Sequence, residues 1–305
     1  MKKQRTIVKE SLWHQIVLNR RNYILMAPFL LFFILFTVLP VITAIYYSFT
    51  DYDMINPARF IGMENYTRLF LEDDVFLIAL KNTMIFAFVT GPICYISAFL
   101  FAWLINELNG VSRLVAITVF YSPVLSGQLF TMFAIIFSSD RYGIINGFLM
   151  NLGIINEPVY WLTSADTIMP VLIVVQIWMS LGTGFLSFVA GLKGTDRALY
   201  EAGSIDGIRN RFQELWYITF PQMAPQLMFG AVMQIVGSFS VGSISATLAG
   251  NPSPEYAGHT IILHLSDYGN GRYEMGYASA IAVILFLMMY FSNKAINKLI
   301  ARVGT

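Results

Sequence analysis

The chain has 305 residues, of which 56% are hydrophobic, 15% aromatic and only 12% charged, with a net charge of +1. Soluble domains carry about 25% charged residues, so a fully water-exposed surface is excluded and the composition is that of a protein embedded in lipid. A net charge of +1 offers nucleic acid no basic field, and one cysteine with three scattered histidines excludes a disulfide framework or a Cys/His metal cluster.

Six windows of at least 19 residues contain no Asp, Glu, Lys or Arg: 22–50, 82–106, 114–139, 167–192, 215–254 and 275–293. A helix crosses about 30 Å of hydrocarbon with about 20 apolar residues, so each window supplies one span. The expected fold is an all-α membrane protein with six transmembrane helices at about 24–49, 83–106, 114–138, 168–190, 222–248 and 276–293. The fifth is trimmed by Pro221 and Pro225 at its start and by Gly250-Asn251-Pro252 at its end. An even number of spans puts both termini on one side. That side carries fourteen Lys and Arg against four opposite (Arg59, Arg68, Arg141, Arg272), with Lys81 at a helix start. The excess places both termini in the cytoplasm.

In chain order, residues 1–22 form a basic cytoplasmic segment ahead of the six-span body at 23–305. The apolar run of the first span is about twice the length of a signal-peptide core, so it is expected to be retained, with Tyr23, Tyr46 and Tyr47 as interfacial anchors. The first outer loop, about 51–79, is acidic. The turn between spans two and three is tight, around Asn109-Gly110. The second outer loop, about 140–166, holds a short apolar piece that reads either as an amphipathic helix at the outer interface or as irregular loop.

The one long cytoplasmic loop, 191–221, has four basic and four acidic residues. Thr195-Asp196 offers an N-cap, Leu199, Ala202 and Ile205 share one helix face, and Gly207 can end a first short helix at positive φ. A second short helix is expected to reach about Tyr217, before Pro221. From these residues alone, a docking platform and a surface helix with no partner remain alternatives.

Within the spans there is no Asp, Glu, Lys or Arg, the groups on which ion-coupled transporters rely. The polar groups there are neutral. Tyr121, Gln176, Trp178, Gln234 and Ser238 are the candidates for a sugar path, with Asn82, Thr83, Ser122, Ser126, Gln128, Ser180, Ser240 and Ser243 also present. Gln234 and Ser238 share a helix face, with Gly230 and Gly237 nearby for close packing. Such side chains also bond between helices without touching any substrate, and both readings stay open.

Glu201-Ala202-Gly203-Ser204-Ile205-Asp206-Gly207, followed by Ile218-Thr219-Phe220-Pro221, resembles the EAA loop of permease subunits in binding-protein-dependent ABC importers, of the maltose/glycerol-phosphate sugar type. Phe60-Ile61-Gly62, Ala79-Leu80-Lys81-Asn82-Thr83, Tyr142-Gly143-Ile144-Ile145-Asn146 and Gly271-Arg272-Tyr273-Glu274 are similar to the same family. Two departures stand out: Gly203 replaces the second alanine of the motif, and the stretch from Gly207 to Pro221 is one residue longer than the usual pattern.

The resemblance implies a non-catalytic carbohydrate-import subunit in a bacterial cell membrane, with Glu201, Ala202, Gly203, Asp206 and Gly207 in the contact with an ATPase. It implies a second permease subunit, a dimer of ATP-binding subunits, an extracytoplasmic sugar-binding protein and a neutral sugar as partners, and no nucleic acid. No cofactor is expected in this chain: it contains no GxxxxGK[ST] pattern, so Mg-ATP belongs to the partner ATPase. The alternative is a secondary transporter or channel driven by an ion gradient.

Overall fold

The computed structural model describes residues 18–125 and 129–300, and most of the expected N-terminal segment, Ser126, Gln128 and Arg302 lie outside them. The described residues form helices and loops, with one isolated antiparallel bridge between Thr50 and Phe60 in the loop after the first helix. In chain order the helices are α1 (Arg20–Tyr47), α2 (Glu64–Leu71), α3 (Asp74–Asn106), α4 (Gly110–Leu125), α5 (Phe130–Ile136), α6 (Ile144–Asn151) and α7 (Ala165–Met179). They continue as α8 (Thr183–Gly194), α9 (Arg197–Ile205), α10 (Arg211–Glu214), α11 (Ala224–Phe239), α12 (Ser243–Leu248), α13 (Ile261–Ser266) and α14 (Met275–Ile300).

Five helical stretches among the described residues are long and apolar enough to cross a membrane: α1, α3, α7 with α8, α11 with α12, and α14. Where the sequence suggests one third span, the structure has the shorter α4 and then α5. Pro123 lies in the last turn of α4 and cannot donate to the carbonyl of Val119; the Ser122 hydroxyl donates to that oxygen instead, at 2.9 Å.

Prolines also explain two widened turns. Ile34–Val38 within α1 and Leu215–Thr219 after α10 are π turns. In each, the residue just before a proline reaches back five places: Leu39 N–H to Ile34, ahead of Pro40, and Phe220 N–H to Leu215, ahead of Pro221. A proline ring clashes with the carbonyl four residues earlier, and widening the turn moves that carbonyl aside.

Three apolar clusters build the interior, and α3 contributes to all of them. Phe76 and Ala79 pack with Leu69 of α2, Ile261 of α13 and Tyr277 and Ile281 of α14. Phe86 joins Ile168, Leu172 and Val175 of α7 and Ile244 and Leu248 of α12. Ala98, Phe99 and Ala102 meet Phe185 and Phe188 of α8 and Leu227 of α11. At 33 residues, α3 is about 50 Å long and forms the spine of the bundle. By contrast α1 has no buried residue and packs only its second half, Leu39–Tyr47, against α14. An apolar helix facing lipid loses nothing by such exposure.

The loop at 140–166 does form a helix, α6, with Ile144 and Phe148 exposed and Asn146 fully buried. Asn146 donates to the carbonyls of Ser138, Asp140 and Val159 and accepts from Val159 N–H and the Trp161 indole, at 2.8–3.2 Å. This one side chain ties the loop together.

Candidate functional site

The long charged loop at 191–221 folds as two short helices and a π turn. Asp196 caps α9 by accepting from Ala198 N–H at 3.0 Å, which is the cap read from the sequence. The helix stops after Ile205. Asp206 N–H donates to Ala202, Ile208 N–H reaches back to Gly203 at 2.9 Å, and Gly207 between them adopts φ +99°. This is a Schellman ending, in which a left-handed residue satisfies the last carbonyls. Asn210 then caps α10 through Gln213 N–H, while the Gln213 side chain accepts from Arg209 N–H.

Gly203 is the buried residue of α9. A Cβ there would lie 2.7 Å from the tip of Ile218 and 3.0 Å from the tip of Ile208, so the glycine lets α9 settle onto the π turn. Tyr200 and Thr219 fasten the same contact with a hydroxyl–hydroxyl bond of 2.9 Å.

Outward, α9 presents Leu199, Ala202 and Ile205 together with Glu201, Ser204, Asp206 and Gly207, all exposed. Ile205 is 86% exposed. A charged cavity of about 480 Å³ between α9 and the adjoining ends of α3 and α4 is lined by Arg113, Lys193 and Arg197 and by Glu107, Glu201 and Glu214. Arg211 bridges it by pairing with Glu214 at 2.9 Å and Glu107 at 3.1 Å.

Midway through the bundle, two apolar stretches break in the same manner. Ser180-Leu181-Gly182 separates α7 from α8, and Ser240-Val241-Gly242 separates α11 from α12; in each, the glycine N–H turns back to the serine carbonyl, at 2.8 and 3.0 Å. Breaks at membrane depth free backbone carbonyls, which must be paired by protein or line an aqueous path. The Gln234 amide donates to Ser180 O at 3.1 Å, and the Thr260 hydroxyl donates to Val241 O at 2.7 Å.

The sequence candidates therefore divide. Gln234 and Ser238 are buried; the Ser238 hydroxyl donates to Gln234 O, and both residues border an apolar cavity of about 400 Å³ between α3, α11 and α14. Trp178, Gln176 and Tyr121 are not in that cavity. Trp178 is half exposed beside the first break, edge-on to Phe133 at 5.2 Å, and Gln176 is half-buried one turn earlier. Tyr121 is half-buried against the cluster around Phe99 and Phe185. At the second break, Ser240 and Ser243 are exposed. Of the glycines expected to allow close packing, Gly230 faces Gly184 and the Phe188 ring, whereas Gly237 has open space around it.

Sequence reasoning missed one cluster. His259 and His264, five positions apart, meet Asp73 and Tyr277 in a buried group at the other end of the bundle. Asn82 and Thr83 hold the intervening loop: Asn82 donates to the carbonyls of Tyr256 and His259, and Thr83 accepts from Ile261 N–H. No local spacing signals this arrangement, because its members lie up to 204 positions apart.

Comparison with known proteins places this geometry in context. The probable ABC transporter permease protein YesP of Bacillus subtilis (strain 168) is 30% identical over 293 residues, which cover 95% of this chain and 90% of that protein. The arabinooligosaccharides transport system permease protein AraP of the same organism is 29% identical over 285 residues, covering 92% and 89%. The crystal structure of a bacterial alginate ABC transporter, in complex with alginate pentasaccharide-bound periplasmic protein, contains a chain that superposes with a TM-score of 0.76 at 22% identity, covering 97% of this chain and 99% of its own. That likeness speaks for the fold. A family model matches residues 83–303, from within α3 onward, and the chain belongs to the family of binding-protein-dependent transport system inner membrane components.

Proposed function

We propose that this chain is one of two permease subunits of an ATP-driven carbohydrate importer, spanning the membrane six times with both termini in the cytoplasm. A pair of ATP-binding subunits, holding Mg-ATP, docks on α9, and an extracytoplasmic sugar-binding protein delivers an uncharged oligosaccharide. The observation that carries this reading is α9 itself, a capped helix that turns its apolar residues Leu199, Ala202 and Ile205 away from its own bundle. An amphipathic helix gains nothing by exposing that face unless another surface covers it. Glu201, Ala202, Gly203, Asp206 and Gly207 form the coupling segment, and the Arg211–Glu107 pair links it to the end of α3.

The substrate path runs past the two helix breaks. Trp178, Gln176 and Tyr121 supply ring and amide contacts, Ser240 and Ser243 supply hydroxyls, and Gln234 with Ser238 holds the breaks in shape. Apolar ring faces and hydroxyls suit a sugar, and the absence of Asp, Glu, Lys and Arg from the spans leaves an anionic substrate without a countercharge. The resemblance to AraP, named for arabinooligosaccharides, points the same way.

Reconstitution of the chain with its partner permease, ATPase and binding protein in liposomes tests the proposal. Uptake of a labelled neutral oligosaccharide is expected to require internal ATP, to survive a protonophore, and to resist competition by uronates. Uptake that collapses with the proton gradient while ATP remains would overturn it.

A further inference from the structure

The ends of α2, α3, α13 and α14 remote from α9 meet in a knot of ionisable groups that coupling and sugar passage leave unused. Asp73 caps α3 by accepting from Phe76 N–H at 2.9 Å. Its other oxygen accepts from the Tyr277 hydroxyl at 2.7 Å and faces His264 Nε2 at 3.0 Å. His264 Nδ1 in turn faces His259 Nε2 at 3.3 Å, and the two histidines are 2% and 3% exposed. The chain of contacts fixes the protons. Asp73 can only accept, so His264 carries its hydrogen on Nε2 and accepts at Nδ1. His259 must then donate from Nε2, which leaves a bare lone pair on its Nδ1. That nitrogen is buried and has no hydrogen-bond partner among the described residues.

Charged groups surround the pair on every packed element. Asp267 and Arg272, joined at 2.8 Å, follow α13; Arg68 of α2 pairs with Glu274 at 2.6 Å and lies over the Tyr277 ring at 4.2 Å. Tyr256 and Tyr268 place their rings against His259 and His264, at 5.4 and 4.9 Å. Burial, with the neighbouring His264 second, drives His259 down to about 4. Burial also lowers His264, against the pull of Asp73. Burial alone would raise Asp73, but the bonds from Tyr277 and Phe76 outweigh it and hold the carboxyl below its ordinary value.

We propose that the Asp73–His264–His259 chain is an acid-sensitive clasp, which binds the extracytoplasmic ends of α3, α13 and α14 together while His259 is neutral and opens when its Nδ1 takes a proton. The device rests on the topology proposed above, since it reads the pH outside the cell. Protonation at Nδ1 would leave a buried cation facing no acceptor, and the loop gains a solvated imidazolium by opening. The sign follows from the depressed value. The stability contributed by the neutral ring is complete above the ordinary histidine value of about 6.5 and drains away as pH falls towards about 4. Loss of the Asp73 contribution follows at still lower pH, because that group is also depressed.

Hydrogen exchange of residues 255–268, in the full-length chain in lipid nanodiscs, reads the clasp directly and needs no transport. After correction for intrinsic rates, protection in the wild type is expected to fall roughly tenfold or more between pH 7.5 and pH 5. In His259→Gln, whose amide still donates to His264 but does not titrate, the fall is expected to shrink to the smaller part that His264 contributes. Tyr277→Phe removes one bond to Asp73 and should lower protection by the same factor at both pH values. A level wild-type profile would overturn the clasp, and so would a parallel fall in His259→Gln or a Tyr277→Phe variant without pH dependence. An intact clasp in a chain that imports no sugar would instead count against the transport proposal alone.

Discussion

Gly203 and Gly207 serve different ends within one turn of chain. Gly207 is needed for its backbone, at φ +99°, and has open space where a side chain would go. Gly203 is needed for its missing side chain, since the tips of Ile218 and Ile208 occupy the place of a Cβ. A β-branched residue at Gly207 costs roughly 1–3 kcal/mol of local strain. Gly207→Val is therefore expected to insert and fold as a bundle but to misdirect the end of α9. Co-purification of the ATPase and stimulation of hydrolysis by sugar-loaded binding protein should both fall well below wild type, and full stimulation at normal expression would exclude the role. The Asp196 cap and the Gly207 stop are legible in the sequence because each acts within a few residues of its own position. The reason for Gly203 is not: it depends on Ile218, fifteen positions on, and on a π turn that brings that side chain round.

At the scale of elements, charge-free windows locate apolar stretches but say little about their continuity. The windows around 167–192 and 215–254 each contain a helix break, because Ser-Leu-Gly and Ser-Val-Gly carry no charge and barely alter hydropathy. The same blindness shortens α3, whose first turns contain Asp74 and Lys81 and so fall outside its window. The breaks change the assignment of roles among the polar residues. Gln234 donates to the Ser180 carbonyl, whose other partner is Gly182 N–H, so Gln234→Ala removes one of two bonds at the break at a cost of about 0.5–1.5 kcal/mol. Its melting temperature is expected to drop while the apparent affinity for sugar in transport holds. Trp178→Ala should do the reverse, weakening transport affinity with little loss of stability, because half of that ring is already exposed and waiting for a partner. Measuring both quantities on both variants separates support from contact. A Gln234→Ala protein of normal stability with weakened affinity would move Gln234 into the path itself.

For the whole molecule, orientation comes from the distribution of Lys and Arg, and the structure supplies the places at which to test it. With α9 and the ends of α3 and α4 on one face, that face collects Arg113, Lys193, Arg197, Arg209 and Arg211, with Lys294 and Lys298 on the last turns of α14. The opposite face holds the knot around Asp73, with Asp51, Asp53, Glu64 and Glu72 on the loops beside it. Positive residues resist translocation, so the first face is expected in the cytoplasm. Accessibility decides where a probe can report. Ser253, in the loop between α12 and α13, is 4% exposed, so a cysteine there would be silent whichever side it faced. Asn270 and Ser204 are exposed and lie at opposite ends of the bundle, the first in the loop before α14 and the second on α9. In a cysteine-free background with Cys94 replaced, Asn270→Cys is expected to react in whole cells with a membrane-impermeant maleimide. Ser204→Cys should react only with a permeant reagent or after lysis. Labelling of both from outside would place an even number of crossings between them and break the six-span reading; reversal of the two would keep the span count and turn the molecule over. Because α3 threads all three apolar clusters and runs from the knot around Asp73 to the cavity beside α9, the two probes stand at opposite ends of one packed bundle.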